Sequence, residues 1–133
     1  MRMFAITYLW ALLTLVVIDG LWLFLTKSVY TNHLAHLLSG TVRWFPVALF
    51  YVLYAAGIIF LIVIPLVEQG ASTQKIAFMG AFLGLVAYGT YDLTNWATIK
   101  NWPPFIVGID LLWGACLTML VSMCCVFMAR LFE

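Results

Sequence analysis

The stretch MFAITYLWALLTLVVIDGLWLFLT, residues 3–26, decides the fold class. It exceeds the ~20 residues that a helix needs to cross a bilayer, and Asp19 is its only charged residue. Three further apolar runs follow at residues 46–67, 75–98 and 105–128. These runs leave no stretch long enough for a soluble domain. We therefore expect an all-α membrane protein, a single four-helix transmembrane domain over residues 1–133 with its helices in an antiparallel bundle. Composition agrees: 66% of the residues are hydrophobic and 8% charged, against roughly 25% charged in a soluble domain. The formal net charge of +1, with no basic cluster, offers nothing to nucleic acid. The lipid bilayer is the expected partner.

The first run follows Arg2 but is long for the apolar part of a secretory signal and lacks a small-x-small site before Lys27, so it reads as retained. Residues 68–74, with Gly70 and Ser72, and residues 99–104, with Asn101-Trp102-Pro103-Pro104, form short links. Short links imply antiparallel neighbours. In residues 27–45, Tyr30, Leu34, Leu37, Leu38 and Val42 recur at helical spacing among His33, His36 and Arg43. That pattern predicts a short interfacial helix between helices 1 and 2, ending near Ser39-Gly40. An ordered loop with apolar anchors is the other reading.

An even number of spans puts both termini on one side. Arg2, Lys75 and Arg130 mark that side, and Lys27, Arg43 and Lys100 mark the other, so the positive-inside rule does not orient the bundle. The Met-Arg start inclines the reading toward cytoplasmic termini. Cys116, Cys124 and Cys125 have no metal-type spacing and read as small apolar filler.

The polar residues carry the rest. Glu68 and Glu133 fall outside the spans, so Asp19, Asp92 and Asp110 are the intramembrane acids. Each costs about 2.5 to 3.5 kcal/mol on insertion scales. Asp19 precedes Lys27, and Asp92 precedes Lys100, by the same interval, which puts both about 12 Å from that boundary. Asp110 lies about 9 Å in from Pro104, and Tyr51 and Tyr54 fall roughly 8 to 12 Å in on the second helix. All four helices thus contribute to one layer. Tyr88, Asp92, Asn95 and Trp96 share a face, as do Asp19 with Trp22 and Thr26, and Asp110 with Trp113 and Gly114. Trp44 and Trp102 read chiefly as an interfacial aromatic belt. Gly80 and Gly84 form a small-residue surface for close helix packing, with its partner helix undetermined. The stretches VVIDGLW, residues 16–22, and VGIDLLW, residues 107–113, are alike, but so short a match carries no argument for duplication.

At residues 87–95, AYGTYDLTN, followed by Ala97-Thr98 and a Trp-Pro pair, the chain resembles the domain-of-unknown-function 2177 family of predicted bacterial inner-membrane proteins. Asp19-Gly20-Leu21-Trp22, Phe50-Tyr51-Val52-Leu53-Tyr54 and Asp110-Leu111-Leu112-Trp113-Gly114 fit that family too. The resemblance implies a multi-pass protein of the bacterial plasma membrane and brings no activity with it.

Crowded carboxylates repel one another, so the layer is expected to hold shared protons. The leading expectation is a cavity lined by Asp19, Asp92 and Asp110 with Trp22, Tyr51, Tyr54, Tyr88, Tyr91, Trp96 and Trp113, and with Asn95 as a hydrogen-bond partner. Such a cavity suits proton-linked binding or transport of a small lipophilic, even cationic, molecule, and two gates in so short a chain would call for a homo-oligomer. A membrane-embedded acid/base enzyme acting on an isoprenoid or acyl lipid is the alternative. A structural or assembly subunit without a ligand is the third. No cofactor motif is present, His33 and His36 read as solvated residues rather than metal ligands, and no metal is expected.

Overall fold

The computed structural model describes residues 2–131, with side chains from residue 5 onward; Glu133 lies outside them. Four helices, α1 (Arg2–Leu34), α2 (Trp44–Glu68), α3 (Thr73–Thr98) and α4 (Pro104–Leu131), make up almost all of it. Each is long and apolar enough to cross a membrane, and no strand occurs among the described residues.

The separate interfacial helix does not form. Residues 27–34 are helical, but as the end of α1, which passes through Lys27 without a break. No Gly or Pro lies between Gly20 and Gly40, and Lys is a good helix former, so nothing stops the helix at the charge. After Leu34 the chain turns, with the Leu37 and Leu38 amides donating to the Leu34 carbonyl at 2.8 and 3.1 Å, and runs without helix to Arg43. At 33 residues, α1 is about 50 Å long. That exceeds the ~30 Å hydrocarbon core, and the excess carries Tyr30 past Lys27 to cover the ends of its neighbours.

α2 begins at Trp44, with Pro46 in its first turn where a missing N–H costs nothing. Farther along, Pro65 cannot donate to the carbonyl four residues back and crowds it. The helix widens just before it into a π-helical turn, Ile59–Val63, in which the Ile64 amide reaches the Ile59 carbonyl. The link to α3 turns at Gly70, whose φ of 57° suits glycine. Ser72 then caps α3 by accepting from the Lys75 amide at 3.3 Å. Arg130, near the end of α4, donates to the Ala71 carbonyl at 2.6 Å and ties this end of the bundle together. The α3–α4 link turns at Asn101, also in the left-handed region with φ 62°, and folds Trp102 inward to 7% exposure.

α3 and α4 form the tightest pair. A Cβ on Gly80 would lie 2.9 Å from Ser122 Oγ, and one on Gly84 would collide with the Gly114 backbone and come within 2.6 Å of Thr118 Oγ1. As numbers rise along α3 they fall along α4, so the pair is antiparallel. Two unlike halves result. In the half toward Arg2 and Leu131, Leu15, Ile58, Ile62, Ile76, Leu117 and Val121 pack into an apolar core, with the hydroxyls of Thr118 and Ser122 as buried polar groups beside it. At the other end, the buried side chains Asp19, Asp92 and Asp110 are polar. Phe24, Phe45, Phe78 and Phe127 point outward, as lipid-facing side chains must.

Candidate functional site

Asp19 is the anchor of the first node. Its carboxylate accepts from Tyr51 Oη on α2 at 2.7 Å and from Trp113 Nε1 on α4 at 2.8 Å. One carboxyl therefore joins three helices. Its own face-mate Trp22 lies against Trp113, with ring centroids 4.2 Å apart and planes 6° off parallel. Trp22 Nε1 donates to Tyr30 Oη at 3.2 Å, and the Tyr30 hydroxyl donates in turn to Asp110 on α4. The two Asp-x-x-Trp stretches thus cross: the aspartate of α1 holds the tryptophan of α4, and the tryptophan of α1 reaches the aspartate of α4 through Tyr30.

Asp92 forms the second node and differs in kind. Its side chain is fully buried, yet neither carboxylate oxygen has a hydrogen-bond partner. Asp110 and the Trp102 indole stand beside it, but neither approach closes into a bond of sound geometry. Trp102 Nε1 is itself a buried donor without an acceptor. Buried polar groups are nearly always paired, so an acceptor and a donor left open side by side are informative. Trp102 also meets Tyr91 edge-on, with centroids 5.8 Å apart and planes at 82°.

The aromatic residues divide between cluster and periphery. Tyr54 Oη lies 2.6 Å from Thr118 Oγ1, and its ring meets Tyr88 edge-on at 6.4 Å. Tyr88 packs on Gly114, where a Cβ would strike its ring. Tyr91 is 57% and Trp96 51% exposed. Trp96 turns half of its surface outward, while half-buried Asn95 sits beside the Tyr91 side chain. A groove of about 440 Å³ opens between α2 and α3, lined by Phe50, Tyr54, Ala87, Tyr88 and Tyr91. No carboxyl is among those residues. The acids stand behind the aromatic wall rather than in it.

Two members of the cluster escaped the sequence reading. Tyr30 was expected on a separate interfacial helix, and its reach to Asp110 follows only from the uninterrupted α1. Trp102 was expected in the aromatic belt, yet it is buried while Trp44 is 74% exposed. The Pro103-Pro104 pair after it was the available signal, since a rigid stop can turn the preceding side chain inward. Gly80 and Gly84 meet α4 of the same chain.

No curated protein and no solved structure matches this chain. A family model does: that of the predicted membrane proteins grouped as DUF2177 matches residues 4–127, and the chain belongs to that family.

Proposed function

We propose that this protein binds a small lipophilic molecule drawn from the bilayer, and that a proton held among Asp19, Asp92 and Asp110 shifts when the molecule binds. The observation that carries the reading is the aromatic groove between α2 and α3, open beside a buried carboxyl cluster. A groove on membrane-spanning helices faces lipid, so an apolar tail reaches it without crossing water. Tyr91 belongs both to the groove wall and to the Trp102 contact, and so links the tail site with the Asp92 node. Adjacent like charges in a low dielectric repel strongly, which favours one proton on the Asp92–Asp110 pair. Asp19, Tyr30, Tyr88 and Tyr91 are the other titratable groups that face it.

Native mass spectrometry of the detergent-purified chain tests the reading. The wild type is expected to retain a lipophilic species. Ala87→Trp, which fills the groove from its α3 wall, is expected to lose that species while keeping its elution volume in size-exclusion chromatography. A wild type that carries nothing, or an A87W variant that keeps its cargo, would reject the proposal.

A further inference from the structure

A second groove, of about 340 Å³, runs between α3 and α4 at the end of the bundle away from the carboxyls. Ile76 and Val126 are buried at its base, Met123 and the outward-facing ring of Phe127 flank it, and Thr73 and Arg130 stand where the two helices end. Met123 to Arg130 covers about 10 Å along α4, so the groove descends from the membrane boundary into the apolar layer. Arg130 donates one N–H to the Ala71 carbonyl at 2.6 Å. That bond orients the guanidinium and leaves the rest of its donor fork open. Lys75 is tied to the same link through Gln69 Oε1 at 2.9 Å. Among the described residues no acid pairs with either cation, Glu68 at the end of α2 included. The groove between α2 and α3, by contrast, has no charged residue in its wall.

We infer that this second groove seats an anionic phospholipid, with its phosphate on Arg130 and the first part of one acyl chain along Ile76, Met123, Val126 and Phe127. Charge complementarity selects the head group. A guanidinium binds phosphate through parallel N–H···O bonds, and the Thr73 hydroxyl is a further donor on the groove wall. A zwitterionic head brings its own ammonium, for which the wall offers no acid. An anionic head brings none, and keeps its full attraction to an arginine that the protein itself leaves without a counter-charge. A short trough suffices for the chain, because the remainder of the lipid stays in the bilayer. This site lies at the opposite end of the bundle from the carboxyl cluster and does not rest on the reading of the groove between α2 and α3.

Two lipids with the same chains and different heads supply the test. The full-length chain in detergent micelles is titrated with dioleoyl phosphatidylglycerol or dioleoyl phosphatidylcholine and read by native mass spectrometry. Phosphatidylglycerol is expected to bind about fivefold more tightly, the effect of one basic residue near an anionic lipid. Arg130→Gln, checked for folding by size-exclusion chromatography, is expected to remove that preference and leave phosphatidylcholine binding unchanged. A second measurement on the wild type locates the lipid. Cys124 lines the groove and is exposed, Cys116 is exposed elsewhere on α4, and Cys125 is buried. Phosphatidylglycerol should slow alkylation of Cys124 by a maleimide and leave that of Cys116 unchanged. Equal binding of the two lipids, a preference that survives in R130Q, or an unprotected Cys124 would each overturn the inference. Displacement by glycerol phosphate or by oleate at the lipid's own concentration would assign the site to a soluble phosphate or a fatty acid and overturn the phospholipid. If R130Q does not fold, the lipid comparison and the Cys124 protection on the wild type decide.

Discussion

The Asp19 and Asp92 nodes use the same side chain in the same half of the bundle for different ends. Asp19 accepts two hydrogen bonds from two other helices and so pins α1, α2 and α4 together. Asp92 is at least as deeply buried and accepts none. A buried acid with its partners in place stabilises a particular arrangement. The same acid left open opposes the fold, because a polar group taken out of water without a partner costs free energy. The contrast sets a carboxyl that ties three helices together apart from one that closes no hydrogen bond of sound geometry, and it argues against reading the three acids as one uniform site.

Substitutions can break or sharpen this contrast, and SDS-induced unfolding of the detergent-solubilised protein measures each. The largest effect is expected at Gly84, on which the α3–α4 contact depends. Gly84→Leu would drive a side chain into the Gly114 backbone, and because backbone cannot move aside the loss should reach about 3 kcal/mol or more. A stability close to wild type would show that α3 and α4 do not pack as described. Asp19→Ala comes next. It strands the Tyr51 hydroxyl and the Trp113 N–H, with an expected loss of about 2 kcal/mol.

Tyr30→Phe removes the link from α1 to Asp110 and the acceptor for Trp22. It should cost about 1 kcal/mol, and a neutral result would mean that the extension of α1 does not hold Asp110. The smallest effect, and the one of opposite sign, belongs to Asp92→Asn. Removing an unanswered buried carboxylate is expected to leave stability unchanged or raise it by up to about 1 kcal/mol, while ligand retention falls. If D92N and D19A destabilise equally, the two nodes are alike and the division between them is wrong.

Much of this was legible in one dimension. Helices must satisfy their own backbone in lipid, so apolar runs of sufficient length pointed to the four helices long and apolar enough to cross a membrane. The regular rise of a helix brought Asp19, Asp92 and Asp110 toward one level before any contact was known. Other features were hidden for identifiable reasons. The end of α1 was misjudged because Lys27 signals a membrane boundary and a helix does not have to stop there. Trp102 was misplaced because loop position suggests an interfacial ring, whereas the turn at Asn101 and the prolines after it fold the indole inward.

The sequence by itself determined the number of long apolar helices and the spacing of each acid from the ends of its own run, since those depend on hydrophobicity and on distance along one helix. Only the tertiary structure decided who answers whom: that Asp19 takes the Trp113 N–H and not that of Trp22, that Tyr30 reaches Asp110, and that Asp92 and Trp102 stay open. Hydrogen bonds depend on distance and angle between side chains of different helices. Those quantities are set by rotation and close approach at Gly80, Gly84 and Gly114, which a one-dimensional pattern does not contain.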